Sequence, residues 1–246
     1  MSKKSTKLLD VIVIGAGASG MMAAITAARR GKSVAILERM NKPGKKILAT
    51  GNGKCNFTNN NMDTSRFHGN IQLIQSVLDR FSKEDTLSFF HEIGIWPKEK
   101  NGYYYPNSGQ AASVVEAFNH ELNRLHVPVY LEQEVLDLFP DKYGFRIKTV
   151  QTSYTCRNVI VASGLLAASK LGSDGSMFSV IKELGHRFVP VLPALCGFYA
   201  KGIQFSKVAG VRCDANLTLK IDGDTATTEH GELQLTDYGI SGIPVY

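Results

Sequence analysis

At 246 residues, with 43% hydrophobic and 20% charged side chains, the chain has ordinary globular composition, which excludes wholesale disorder and collagen-like repeats. No uninterrupted apolar run approaches the ~20 residues that cross a bilayer, so no membrane span is expected. The net charge of +6 is scattered apart from Lys3, Lys4 and Lys7 and, further on, Lys42, Lys45 and Lys46; it suits either nucleic acid or an acidic ligand, and no basic–aromatic motif marks a nucleic-acid surface.

Lys3, Lys4 and Lys7 followed by residues 8–28 imitate the basic and apolar parts of an export signal. Asp10 interrupts that apolar stretch, and Gly15, Gly17 and Gly20 weaken it as a helix, so a buried first strand accounts for it better. Cys55, Cys156, Cys196 and Cys213 form no C-x-x-C pair, which argues against a zinc cage or a disulfide framework. Four free thiols suit a reducing compartment, and the cytoplasm is expected.

Leu9–Ile14 (LDVIVI) is nearly continuous apolar sequence, the pattern of a strand covered by helices on both faces. Gly15-Ala16-Gly17-Ala18-Ser19-Gly20 follows, a G-x-G-x-x-G. Its first glycine permits a tight turn, its second lets a diphosphate approach the backbone, and its third lets the next helix pack closely. That helix is predicted over Met21–Arg30 with Gly31 as its C-terminal cap. Its positive end, with Ala18 and Ser19, faces the diphosphate.

Ser33–Leu37 reads as the second strand, and Glu38 stands at its end, eighteen positions after Gly20. A carboxylate at that spacing accepts hydrogen bonds from ribose hydroxyls and repels a 2′-phosphate. Strand, helix, second strand and terminal acid in register mark a dinucleotide-binding unit. A nicotinamide unit would run on into another helix and strand, whereas Asn41–Asn61 reads as a long irregular segment with three glycines. Its Lys45, Lys46 and Lys54 either hold a diphosphate and the edge of a flavin ring or form a solvated surface turn.

The run from Asp10 to Glu38, followed by GKKILATGNGKCNFTN, resembles a bacterial flavoprotein family of NAD(P)/FAD-dependent oxidoreductases, some aminoacetone oxidase-like, others similar to a flavoprotein of bile-acid dehydroxylation. The signature at Gly51–Asn59 is more specific than the glycine motif. YYPNSGQAASVV (Tyr104–Val115), KLGSDGS (Lys170–Ser176) and GELQLTDYGISGIP (Gly231–Pro244) extend the likeness along the chain. The resemblance implies a Rossmann-like α/β FAD-binding domain with a three-stranded β-meander, over residues 1–190, and the start of an inserted β-rich substrate domain over 191–246. Gly15, Gly17, Ala18, Ser19, Gly20, Glu38, Arg39 and Lys45 would then grip the ADP half of FAD. Gly51, Asn52, Gly53, Lys54, Cys55 and Asn56 would support the inner diphosphate and ring, Val135 would offer backbone contacts to adenine, and Ala162, Ser163 and Gly164 would approach the coenzyme.

Downstream, Ile71–Ile93 shows helical periodicity, with a second helix starting at Ser82 and Asp85 completing a capping box. Tyr103, Tyr104 and Tyr105 either wall the flavin or anchor a loop, and Gln110–Leu125 is an amphipathic helix. Strands are predicted at Val127–Leu131, Val135–Phe139, Tyr143–Val150 and Tyr154–Val161. Beyond Pro190 and Pro193, Val208–Ile221 alternates as a strand into the hairpin signal Asp222-Gly223. His186 and His230 read as surface or capping residues. Ser241–Tyr246 reads as the start of a helix with Pro244 near its first turn; the family's returning segment does not follow, so a truncated chain is expected.

The leading expectation is an FAD-dependent oxidoreductase passing a hydride between a small organic substrate and the flavin, with oxygen or NAD(P) as the other partner. The alternative is a nucleotide-binding module without turnover; a flavoprotein acting on RNA is also allowed by the charge, though no basic–aromatic motif supports it. No catalytic acid or base and no metal site emerge. Cys55 is either a redox-active thiolate beside the flavin or a packing residue, packing being the simpler reading.

Overall fold

The computed structural model describes residues 8–67, 69–201 and 204–246; Lys3, Lys4 and Lys7 lie outside them. The chain divides into two compact units, Met1–Phe188 and Val189–Tyr246, each described by itself.

The first unit opens with β1 (Leu9–Ile14), α1 (Ala18–Arg29) and β2 (Val34–Leu37). Val11 and Val13 of β1 pack with Met21, Ala24 and Ile25 of α1, while Ile12 and Ile14 pack into a second core on the opposite face. Burial on both faces is why β1 carries no alternation. Helix α1 begins three residues earlier than Met21, because Gly17 is extended (φ −78°, ψ −177°) and Ala18 already continues helically. It ends as expected: Gly31 (φ +74°) donates to the Ala28 carbonyl and Lys32 to that of Ala27, a Schellman cap.

The segment read as irregular is partly helical. Helix α2 (Lys45–Ala49) and a 3₁₀ turn over Thr50–Gly53 precede β3 (Thr58–Asn59). A five-residue helix with no side-chain cap carries no periodic signal; its Ile47 is buried in the α1 core. Next come α3 (Ile71–Leu78) and α4 (Lys83–Glu92), the latter with the capping box at Ser82 and Asp85. Strands β4 (Pro97–Lys100) and β5 (Tyr103–Pro106) form a hairpin that pairs with β3 in a small three-stranded sheet. It places the three tyrosines on a strand.

Helix α5 (Ala111–Arg124) then packs on α1. The buried Glu121 of α5 accepts from Arg29 and Arg124, at 2.8 and 2.7 Å. Without those partners a buried carboxylate would be costly. Strands β6 (Val129–Tyr130), β7 (Val135–Asp141), β8 (Gly144–Thr149) and β9 (Ser153–Val161) follow, then α6 (Met177–Glu183). The main sheet runs β6-β2-β1-β9-β8-β7. Its first four strands are parallel, and β7, β8 and β9 form the antiparallel meander that delivers β9 beside β1. The fold is a Rossmann-like α/β unit with a mixed sheet.

The second unit holds β10 (Phe198–Tyr199), β11 (Arg212–Ile221), β12 (Asp224–Leu235) and β13 (Gly239–Gly242) in one antiparallel sheet. Asp222 (φ +53°) and Gly223 (φ +96°) make the two-residue turn the sequence signalled. Strand β11 starts at Arg212 rather than Val208, because Val208 closes a 3₁₀ turn over Phe205–Lys207. Residues 241 and 242 also differ from expectation: Ser241 pairs with Gln234 and Gly242 with Leu233, and only Ile243–Val245 turn, as a 3₁₀ helix with Pro244 at its start.

Candidate functional site

The parallel strands β2, β1 and β9 end side by side, and a cleft of about 320 Å³ opens at their C-terminal edge. Ligands in open α/β sheets bind at this edge. Gly15 (φ +103°) donates to Leu37 at 2.8 Å and turns so tightly against β9 that a Cβ there would lie 2.6 Å from the Ala162 carbonyl oxygen. A Cβ on Gly20 would collide with the Gly15 carbonyl oxygen, so this glycine lets α1 sit on the turn. Gly17 differs. A Cβ there would meet no protein atom within 4 Å, and Gly17 lines the cleft. Packing does not require that glycine; a molecule approaching the backbone from the cleft would.

No side chain caps α1, and among the described residues no hydrogen bond takes the N–H groups of Ala18, Ser19 or Gly20. Ala18 and Ser19 line the cleft. Free amides at the positive end of a twelve-residue helix form an anion receptor.

Glu38 is buried beneath the same cleft. Its Oε2 accepts from the Ala16 backbone at 2.6 Å and its Oε1 from the Met40 backbone at 2.8 Å. A carboxylate offers about four lone-pair sites, so about two remain for hydroxyl groups. Arg39, next in sequence, donates to Asp174 at 2.7 Å. That hydrogen bond is the main reason the Asp174 carboxyl falls to about 2.

The residues singled out in the sequence separate into two sets. Gly15, Gly17, Ala18, Ser19, Glu38, Arg39, Lys45, Val135, Ala162, Ser163 and Gly164 all line the cleft, and Gly20 lies behind the turn. Gly51, Gly53, Lys54, Cys55 and Asn56 are not among the lining residues, which stop at Thr50 on this side among the described side chains, and the Asn52 side chain lies outside those described. Cys55 is buried in the α1 core, where desolvation pushes its thiol pKa up, the reverse of what an active thiolate needs. Asn56 donates its side-chain amide to the carbonyls of Thr58 and Tyr104, tying the loop to the small sheet. Tyr104 donates its hydroxyl to Asn60 at 2.8 Å, and none of the three tyrosines lines the cleft. His186 and His230 are exposed, the latter against Asn216 at 3.1 Å.

Sequence reasoning missed part of the lining. Leu171, Gly172, Ser173, Ser176 and Met177 also line the cleft, and Lys46 donates to the Ser173 hydroxyl at 2.9 Å. The Gly-Ser-Asp-Gly-Ser run ahead of α6 was the available signal, a cluster of turn residues between two structured segments. Among the described residues no group of His, Cys, Asp or Glu is placed to hold a metal, and no helix is long and apolar enough to cross a membrane.

Strand order, glycine turn and terminal acid together define a Rossmann-type α/β unit. The chain belongs to the HI0933-like protein Rossmann domain family, which matches residues 9–239. It is 44% identical to a 3-dehydro-bile acid delta(4,6)-reductase of Clostridium scindens (strain ATCC 35704 / DSM 5676 / VPI 13733 / 19) over 237 residues, 95% of this chain and 58% of that protein. It is 30% identical to a ribosomal RNA dihydrouridine synthase of Haemophilus influenzae (strain ATCC 51907 / DSM 11121 / KW20 / Rd) over 242 residues, 95% of this chain and 59% of that protein. The chain thus spans a little under three fifths of these relatives. The crystal structure of a 3-ketosteroid-delta4-(5alpha)-dehydrogenase from Rhodococcus jostii RHA1, in complex with 4-androstene-3,17-dione, shares the fold. Its TM-score is 0.51 at 16% identity, over 68% of this chain and 48% of that one.

Proposed function

We propose that this cleft receives the ADP moiety of FAD and that the chain is the coenzyme-binding part of an FAD-dependent oxidoreductase. The observation that carries the reading is the open space before Gly17, bordered by the free amides of α1 and by the buried Glu38. Ala18 and Ser19 donate their backbone N–H groups to the diphosphate, while Lys45 and Lys46 balance its charge. Glu38 accepts from the adenosine ribose through the lone pairs that Ala16 and Met40 leave free. The Val135 backbone faces adenine, and Ala162, Ser163 and Gly164 bring β9 up to the coenzyme.

Residues Gly51–Asn56 continue directly from the cleft wall at Thr50, and Gly51, Gly53, Lys54 and Asn56 are exposed. They extend the rim toward the inner diphosphate and ring. When bound, FAD supplies hydride chemistry, and the protein positions and tunes it. The 44% identity to a bile acid reductase favours a small organic substrate; oxygen or NAD(P) would be the other redox partner. Four free cysteines favour a cytoplasmic setting.

Heat denaturation of the purified protein, with the supernatant assayed for flavin by absorbance and chromatography, tests the reading. Release of FAD is expected. Colourless protein that takes up no flavin on reconstitution would overturn it.

A further inference from the structure

Two adjacent residues at the end of β2 carry opposite messages. A carboxylate here selects a ribose with a free 2′-hydroxyl, whereas an arginine here receives a 2′-phosphate. Glu38 is the first and Arg39 the second, and composition alone does not choose between them. In the fold the Arg39 guanidinium is already engaged. Its Nη1 lies 2.7 Å from Asp174 Oδ2, 3.4 Å from the Ser176 hydroxyl and 4.0 Å from a carboxylate oxygen of Glu134. Asp174 is itself fixed, because its Oδ1 accepts the Ser176 backbone N–H at 3.1 Å.

We infer that Asp174 is a specificity-determining residue for the coenzyme: by holding the Arg39 guanidinium it withdraws the cation that a 2′-phosphate would need, so the cleft selects an unphosphorylated adenosine ribose. The local balance points the same way. Glu134 and Asp174 both lie within 4.0 Å of the single Arg39 guanidinium, Glu38 lines the same cleft, and a phosphate monoester would add roughly −1.5 to −2 charges there. Lys46, the other cation with an identified partner in the cleft, is turned to Ser173. Asp174 stands 135 residues from Arg39, so the pairing is a product of the fold and not of a local motif. The inference rests on the dinucleotide reading given above.

The test compares ADP-ribose with 2′-phospho-ADP-ribose by isothermal titration calorimetry on the full chain freed of bound nucleotide. Wild-type protein is expected to bind ADP-ribose more tightly by about tenfold or more, since like charges brought together at a binding surface are strongly disfavoured. Asp174→Asn is expected to narrow that ratio by about tenfold, a change of about 1.4 kcal/mol. The pair Asp174→Asn with Arg39→Gln should restore the wild-type ratio, which a merely structural role for Asp174 would not do. Glu134→Gln loosens the same guanidinium and should shift the ratio in the same direction, so the test stands if Asp174→Asn does not fold. An unchanged ratio in folded Asp174→Asn or, failing that, in Glu134→Gln would overturn the inference. Wild-type protein that binds neither ligand would overturn the dinucleotide reading and this inference with it.

Discussion

The Glu38 carboxylate accepts the Ala16 backbone N–H at 2.6 Å, across 22 residues of sequence. One contact therefore locks the glycine turn ahead of α1 to the end of β2, which ties the proposed diphosphate receptor to the proposed ribose acceptor. Replacing Glu38 by Gln removes the charge and presents an amide donor to one of two backbone donors. A loss of about 1.5–3 kcal/mol is expected, the usual worth of hydrogen bonds to a charged group, read from the midpoint of urea denaturation. A variant as stable as wild type would show that the clamp contributes nothing.

Gly17 and Gly20 are equivalent in the motif and not in the fold. Ala at position 20 drives a methyl into the Gly15 carbonyl oxygen and is expected to cost about 3 kcal/mol, at the upper end for overpacking. Ala at position 17 enters open space at an extended N-cap and should cost less than about 1 kcal/mol. Thermal denaturation of the two variants side by side reads the difference; equal losses would contradict these roles.

The Arg39 guanidinium beside Asp174 lowers that carboxyl from its ordinary 3.8 to about 2. A carboxylate with a depressed folded-state pKa adds stability above its unfolded value and loses it as pH falls through the folded one. The stability margin of wild type over Asp174→Asn is therefore expected to be complete above about pH 5 and to vanish toward about pH 2. Denaturant midpoints of both proteins across that window check this. A margin that does not change with pH would contradict the ion pair.

Burial raises the thiol pKa of Cys55 and raises that of Cys156 to about 11, whereas Cys196 and Cys213 are exposed. A chromogenic thiol reagent on native protein should thus modify Cys196 and Cys213 quickly, and Cys55 and Cys156 only after unfolding. Fast labelling of Cys55 in native protein would reopen a redox role for it.

The βαβ unit was legible because three independent signals agree on it: unbroken apolar strands, glycines at fixed offsets and an acid beyond the second strand. The small sheet was less legible, since β4 reads Pro-Lys-Glu-Lys, residues of low strand propensity that stay mostly exposed. One local signal for it existed. Asn101-Gly102, with φ of +54° and +85°, is the two-residue hairpin turn that sets Lys100 against Tyr103. The cleft lining over residues 171–177 was the hardest part. Asp174 and Ser173 acquire their partners, Arg39 and Lys46, only when residues 135 and 127 positions apart are brought together. No periodicity within a short window reports such a pairing.

In the proposed function, the space before Gly17 admits the diphosphate of FAD. The most direct test is titration of FAD into flavin-free wild-type protein and into Gly17→Val, followed by fluorescence quenching, with circular dichroism to confirm that both are folded. Wild type is expected to bind one FAD per chain, and the valine variant to bind it at least about tenfold more weakly, because its Cβ projects into the open space that the diphosphate would take. Equal affinity in the two folded proteins, or no binding by wild type, would contradict the claim.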